Sequence, residues 1–196
     1  PDAEENDKEL DRLSEVLGQG NRNVVRVMVG NEALLRGDVT VPEMIASLDR
    51  VRRGTALPVS TAEPPYIWMR HPELANHVDF ITIHLLPYWE EVPIEEAVDH
   101  VFKRLEDIRL QFPGKPVVIG EVGWPSNGRT SGGAEATPAN QIRFLRRFPS
   151  PGRPQGGVPY ALEALRPTRE MRPGRAPRPG LEDGHRRRPR CLLGGL

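Results

Sequence analysis

The sequence predicts an α/β protein built around a parallel sheet. Short apolar runs rich in β-branched residues alternate with segments of helical periodicity, in the order α-β-α-β-α-β-α-β-α. The strands are almost continuously apolar, which is typical of a parallel sheet covered on both faces. The intervening segments are long enough for the crossovers that parallel strands need. This pattern alone leaves a closed barrel and an open doubly wound sheet as alternatives.

The first half of the chain contains three predicted helices and two predicted strands. Capping boxes mark two helix starts, at Asn6 with Glu9 and at Thr40 with Glu43. The predicted elements are a helix from Asn6 to Gly18, a strand over 24–29, a helix after Thr40, a weak strand over 58–61 and a short helix over 68–75.

The second half gives stronger signals. Pro113-Gly114 ends a long periodic segment, and Thr137-Pro138 begins the last one. The predicted elements are a strand over 80–86, a helix from Pro93 to Phe112, a strand over 116–122 and a helix from Thr137 to about Phe148.

The zero net charge of the 196 residues averages two unlike parts. Residues 1–148 hold 17 basic and 23 acidic residues, whereas residues 149–196 hold 10 arginines, 4 acids and 17 of the 40 Gly and Pro residues. The composition therefore predicts a folded domain over 1–148 and an irregular Arg/Pro/Gly-rich tail over 149–196. One cysteine excludes a disulfide framework within the chain, and we expect no metal site and no cofactor. No apolar run is long enough to span a membrane.

Two predicted strands end in a carboxylate, at Glu32 and at Glu121. In parallel α/β folds the ligand binds at the carboxyl ends of the strands, so both acids are candidate site residues. The alternative is that Glu32 only caps the next helix or pairs with an arginine. Side chains that can add hydrogen bonds or an aromatic wall at the same edge are His84, Tyr88, Trp89 and Trp124.

Two carboxylates beside aromatic side chains suit the cleavage of a glycosidic bond. One acid must stay protonated to assist the leaving oxygen, and the other must be ionised to attack or stabilise the sugar cation. Neither a dinucleotide-binding nor a P-loop glycine motif follows any predicted strand, which lowers the weight of nucleotide-binding folds.

Residues 30–32, Gly-Asn-Glu, and residues 118–126, Val-Ile-Gly-Glu-Val-Gly-Trp-Pro-Ser, resemble the two signature strands of glycoside hydrolase family 17. Residues 32–38 and 84–90 resemble its bacterial branch in particular. The resemblance covers about residues 6–148. It implies a partial (β/α)8 TIM barrel that starts at about the fourth strand, since roughly 90 N-terminal residues of a barrel of about 250 are lacking.

The resemblance also implies roles for individual residues. Glu32 matches the acid/base and Glu121 the nucleophile of a retaining β-glucan hydrolase or transglycosylase. Further residues that would bind the sugar are Asn31, His84, Tyr88 and Trp124. The implied partner is a β-glucan oligosaccharide or polysaccharide, with no nucleic acid expected. The family suggests the cell envelope or the extracellular space.

Departures from the family pattern leave other functions open. A barrel that lacks three strands cannot close, so we expect poor solubility and little or no activity from this chain alone. The tail shows short stretches of resemblance, as in residues 158–164, within a sequence that suggests reading-frame shifts. The alternatives are a catalytically silent carbohydrate-binding remnant and a basic tail that binds nucleic acid or another anionic surface.

Overall fold

The computed structural model describes residues 3–20 and 23–148. The predicted tail, residues 149–196, lies outside the described residues. Four strands are β1 (Val27–Asn31), β2 (Val59–Glu63), β3 (Ile81–Leu85) and β4 (Val117–Val122). The helices are α1 (Ala3–Gly18), α2 (Val41–Gly54), α3 (Pro65–Arg70), α4 (Ala97–Gln111) and α5 (Pro138–Arg147), with a 3-10 helix at Pro72–His77. The predicted alternation of helix and strand is therefore confirmed over these ranges.

The four strands form one parallel sheet in the order β1-β2-β3-β4. Each strand pairs with the next strand along the chain, so the described part contains no reversal of strand order of the kind that defines a doubly wound sheet. All carboxyl ends consequently lie at one edge of the sheet, which we call the rim. The structure therefore confirms the predicted α/β class with a parallel sheet.

The hydrophobic core lies between the sheet and the helices that follow its strands. Residues of α2 and α4 face the sheet at helical spacing and are buried, because only one stripe of each helix is apolar. These core residues are Met44, Leu48 and Val51 of α2, and Val98, Val101, Leu105 and Ile108 of α4. Trp68 of α3 is fully buried, and its indole N–H donates to the carbonyl of Thr82 at 3.0 Å. This packing fixes the sheet that carries the rim.

Three helix predictions are wrong in their bounds. The first helix starts at Ala3 rather than Asn6, and its first turn carries Glu4 and Glu5, whose charges favour a helix N-terminus. Pro93 belongs to a turn before α4, in which the N–H of Glu96 donates to the carbonyl of Pro93. The predicted helix over 68–75 is two helices, because residue 71 precedes a proline and leaves the helical region.

Within the described ranges, the structure contains no helix that is both long and apolar enough to cross a membrane.

Candidate active site

Two irregularities in the strand pairing lie directly before the two candidate glutamates. Met28 pairs with Ser60 but Asn31 pairs with Ala62, so β1 has one residue more than β2 over this stretch. The chain turns there through Gly30, whose φ of 79° favours glycine. Such a β-bulge changes the direction of the side chains that follow it.

The second bulge is at Gly120 in β4. Ile83 pairs with Ile119 and His84 pairs with Glu121, so Gly120 is the extra residue. The bulge places Glu121 beside His84 on one face of the sheet. Each candidate carboxylate therefore follows a bulge that contains a glycine, Gly30 for one and Gly120 for the other.

Glu32 lies in a tight turn after β1 and has a left-handed backbone, with a φ of 52°. This conformation is uncommon for a residue with a β-carbon and costs free energy. Two hydrogen bonds hold it: the N–H of Glu32 donates to the carbonyl of Ala62 at 2.8 Å, and the Glu32 carbonyl accepts from the N–H of Arg36 at 3.0 Å. Glu32 is thus one of two non-glycine residues in the described part with a left-handed backbone, the other being Glu91.

His84 connects the two glutamates. Its Nδ1 lies 2.8 Å from Oε1 of Glu32 and 3.7 Å from Oε2 of Glu121. A proton on Nδ1 makes the shorter contact a hydrogen bond to the carboxylate of Glu32. The His84 side chain is 2% exposed, whereas the side chains of Glu32 and Glu121 are 23% and 24% exposed. Both carboxylates can therefore reach a ligand, while the histidine contacts them from the protein side.

A carboxylate oxygen of Glu32, a ring nitrogen of His84 and a carboxylate oxygen of Glu121 all lie within 4.8 Å of one another. These three groups could coordinate a divalent cation, and the same set of groups is also suited to acid–base chemistry. The geometry thus brings Glu32, His84 and Glu121 together, as the sequence predicts.

The other predicted site residues lie at the same rim with different exposures. Asn31 ends β1 and is exposed, and its carbonyl accepts a hydrogen bond from Nη1 of Arg36 at 2.7 Å. Tyr88 and Trp124 are buried, with ring centroids 5.8 Å apart. The indole N–H of Trp124 donates to the carbonyl of Glu135, and the hydroxyl of Tyr88 donates to the carbonyl of Arg129.

Two aromatic side chains that follow strands at this rim are exposed, Tyr66 after β2 and Trp89 after β3. The ring of Trp89 packs edge-on against Tyr88, with centroids 4.9 Å apart. Trp89 therefore presents an exposed apolar ring in the loop after β3, supported by the buried ring of Tyr88.

Sequence reasoning missed one residue at the rim, Glu63. The structure extends β2 to Glu63, two residues past the predicted end of that strand. The side chain is fully buried, and its two oxygens accept from the N–H of Leu34 at 2.8 Å and the N–H of Leu35 at 3.2 Å. The signal available in the sequence was an acid at the end of a third strand, the same signal that singled out Glu32 and Glu121.

Burial raises the pKa of Glu63, and the nearby charge of Glu32 raises it further. The hydrogen bonds from Leu34 and Leu35 and the ring of His84 act in the opposite direction but do not cancel the effect of burial. Glu63 is therefore a carboxyl group that holds its proton to higher pH than an ordinary glutamate does.

A pair of carboxylates at the carboxyl edge of a parallel α/β sheet is the arrangement that glycoside hydrolases use. Comparison with known proteins agrees with this class. The model of the BtgE/BtgC glycoside hydrolase domain matches residues 1–164. The match includes residues 158–164, which lie beyond the predicted domain boundary.

Individual relatives come from the same family. A glucan 1,3-beta-glucosidase of Arthroderma benhamiae is 30% identical in an alignment of length 162 that covers 74% of this chain and 52% of the relative. The crystal structure of a glycoside hydrolase family 17 beta-1,3-glucanosyltransferase from Rhizomucor miehei is similar with a TM-score of 0.65 and 31% identity, over 73% of this chain and 55% of that one. An active-site mutant of the Rhizomucor miehei enzyme in complex with laminaritriose gives a TM-score of 0.66 at 30% identity, with the same coverage.

The chain belongs to glycoside hydrolase family 17, as a member of its BtgE/BtgC group. The family resemblance inferred from the motifs is thereby confirmed. The chain spans about half the length of the relatives it matches. These relatives are fungal, so the assignment to a bacterial branch stays a prediction.

Proposed function

We propose that this chain carries the catalytic half of a retaining β-glucan hydrolase or transglycosylase, folded as the fourth to seventh units of a (β/α)8 barrel. The sequential order of the four parallel strands supports a segment of barrel wall. The glucan substrate is suggested by the relatives, which include a glucan 1,3-beta-glucosidase and an enzyme crystallised with laminaritriose. In this proposal residues 1–148 are an incomplete catalytic domain.

The observation that carries the proposal is the approach of a Glu32 oxygen to within 4.8 Å of a Glu121 oxygen. Retaining glycosidases hold their two carboxyl groups about 5–5.5 Å apart, whereas inverting enzymes leave about 6.5–9.5 Å for a water molecule. The short separation favours attack by one carboxylate on the sugar itself.

The proposed mechanism has two steps. Glu32 donates its proton to the glycosidic oxygen while Glu121 attacks the anomeric carbon, so that the leaving sugar departs and a glycosyl-enzyme forms. Glu32, now a carboxylate, then removes a proton from the incoming acceptor, which displaces Glu121 and restores both groups. Water as acceptor gives hydrolysis, and a sugar hydroxyl gives transglycosylation.

The surroundings fit these roles. His84 supplies a proton on Nδ1 that contacts Glu32 and faces Glu121, so it can balance the charge that moves between the two carboxyl groups. Asn31 is exposed next to Glu32 and can bind a sugar hydroxyl. Trp89 offers an exposed ring on which a sugar face can stack.

The test requires a closed barrel. We use the term completed chain for residues 1–148 preceded by three β/α units, about 90 residues, and followed by an eighth unit, all four taken from the Rhizomucor miehei relative. The completed chain is incubated with a β-1,3-glucan, and released and elongated oligosaccharides are measured.

Turnover that is lost in Glu121→Gln, with glucan binding retained, supports the enzyme. The matched control is Glu106→Gln on the exposed face of α4, which should keep full turnover. Binding without turnover in the completed chain would instead support the carbohydrate-binding remnant. Residues 149–196 lie outside the described structure, and the alternative that they bind nucleic acid has its own test. Salt-sensitive retention of these residues on DNA would support that alternative.

A further inference from the structure

We propose that Glu63 is a positioning residue that holds Glu32 in its reactive conformation and keeps a negative charge behind it. This inference rests on the proposed function, since it concerns the acid/base of the same site. It starts from the buried carboxylate that the proposed mechanism does not use.

The first step is the backbone geometry of the turn after β1. Residues 33–37 form a turn in which the N–H of Arg36 donates to the carbonyl of Glu32 at 3.0 Å. The carboxylate of Glu63 accepts from two backbone N–H groups of this turn, those of Leu34 and Leu35. A side chain of the neighbouring strand thus caps the turn that contains the strained Glu32.

The second step is that two successive residues of β2 hold this turn. The carbonyl of Ala62 accepts from the N–H of Glu32, and the next residue, Glu63, accepts from Leu34 and Leu35. The left-handed φ of Glu32 persists only if surrounding contacts fix it. These three hydrogen bonds fix it relative to β2, and β2 pairs with the strand that carries His84.

The third step is that Glu63 does not contact the substrate. Glu63 is fully buried. Its side chain lies on the same face of the sheet as that of Ile83, its register partner in β3. His84 lies on the opposite face, because successive side chains alternate along a strand. Glu63 therefore acts on the reaction through Glu32.

The fourth step is electrostatic. The titratable groups that interact electrostatically with Glu63 are Glu32 from the turn, His84 from the other face of β3 and Tyr66 from α3, and Glu121 from β4 lies beyond His84. Burial raises the pKa of Tyr66, and the charges of Glu63 and Glu32 raise it further. Once the pH exceeds the raised pKa of Glu63, its negative charge disfavours a second negative charge nearby and so favours the acid form that the first step of catalysis needs.

The experiment compares Glu63→Gln and Glu63→Asp in the completed chain. Glutamine removes the charge and replaces one acceptor by a donor, so we expect kcat to fall at least about tenfold with KM almost unchanged. The alkaline limb of the pH profile of kcat/KM should move to lower pH by about half a unit or more, because the charge that favours the acid form is gone. Aspartate keeps the charge but is one methylene shorter, so kcat should fall while the limb stays near its original pH.

The matched control is Glu43→Gln. Glu43 also accepts a backbone N–H, that of Thr40 at 2.7 Å, but it caps α2 at the surface. Its replacement should affect stability without moving the pH profile. If Glu63 has only a structural role, Glu63→Gln will also lower the amount of active protein but will leave the alkaline limb of the kcat/KM profile in place. That result would overturn the electrostatic part of the proposal.

Two measurements separate this inference from the proposed function. If the wild-type completed chain shows no turnover, the proposed function fails, and amide exchange still decides the inference. The amides of Leu34 and Leu35 should be protected in the wild type and should exchange at least about tenfold faster in Glu63→Gln, whereas the amides of α2 should not change. Exchange in the wild type as fast as in an open loop, or equal exchange in the two proteins, would overturn the role of Glu63.

Discussion

Gly120 lies directly against the ring of His84. A β-carbon added at Gly120 would lie 3.1 Å from both Cδ2 and Nε2 of the histidine, and 2.8 Å from Cγ2 of Thr82. Both neighbours are buried and cannot move outward. The bulge glycine therefore fixes the position of the histidine that contacts the two glutamates.

We predict that Gly120→Ala destabilises the protein by about 1–3 kcal/mol, the usual cost of overpacking a buried site. It should also reduce turnover in the completed chain, because the ring of His84 must shift away from Glu32. Thermal unfolding and turnover measure the two effects. The control is Gly54→Ala at the end of α2, where an added β-carbon meets nothing within 4 Å. Equal stability of the two variants would contradict the prediction.

Much of the fold could be predicted from local sequence. β1, β3 and β4 are compact, mainly apolar runs. The predicted starts of α2 and α5 are confirmed by their caps: Thr40 forms a capping box with Glu43, and the Thr137 side chain accepts from the N–H of Asn140. These signals are local, since a cap or an apolar period involves residues that are near one another in the chain. The existence and order of the elements follow from them.

The details of the site could not be predicted in the same way. The bulges at Gly30 and Gly120 are defined by the register against a neighbouring strand, which no local pattern contains. Glu63 was missed because Ala62 and Glu63 extend β2 beyond its apolar residues, and that extension depends on pairing with β3. Trp124 was predicted as an aromatic wall from its motif, but a motif does not reveal burial, and the ring is 2% exposed.

The outer edge of β1 gives a prediction about the chain by itself. In the described residues β1 pairs with β2 alone, and Met28 of β1 and the adjoining Val25 are exposed. An open edge of a parallel strand with exposed apolar residues favours association between chains. We predict that the 196-residue chain elutes as aggregates in size-exclusion chromatography and that the completed chain is monomeric. A monomeric short chain that melts cooperatively would contradict the partial-barrel proposal.

The hydroxyl of Tyr88 joins the loop after β3 to the loop after β4 through the carbonyl of Arg129. Tyr88→Phe removes this bond and leaves the carbonyl without that donor, so we expect a loss of about 1 kcal/mol in stability. Trypsin should then cleave after Arg129 faster than in the wild type. Tyr66→Phe, at an exposed ring, is the control and should leave the cleavage rate unchanged. Identical cleavage of all three proteins would show that the bond does not restrain the loop.

Asp79 gives a pH-dependent contribution to stability. Burial by itself would raise its pKa, but the N–H of Val59 and the guanidinium of Arg52 outweigh burial, so the pKa of Asp79 is below its ordinary value of 3.8. The contribution is therefore present above pH 3.8 and is lost as the pH falls through the lowered pKa. Asp79→Asn should cost roughly 0.5–1 kcal/mol at pH 7 and less near pH 3, as measured by urea unfolding. Glu9→Gln, at an exposed position of α1, is the control and should leave the free energy of unfolding almost unchanged at both pH values.

The role of Glu32 as the proton donor predicts a dependence on the leaving group. In the completed chain Glu32→Gln should lower kcat/KM for a β-1,3-glucan by about 10²–10⁴-fold, because the departing sugar oxygen needs a proton. An aryl β-glucoside with an acidic phenol needs little protonation, so formation of the glycosyl-enzyme should be slowed far less and a burst of phenol should appear before slow turnover. Glu121→Gln should abolish turnover of both substrates and give no phenol burst with the aryl glucoside, because no covalent intermediate can form. An equal loss with both substrates in Glu32→Gln would show that Glu32 does not deliver the proton.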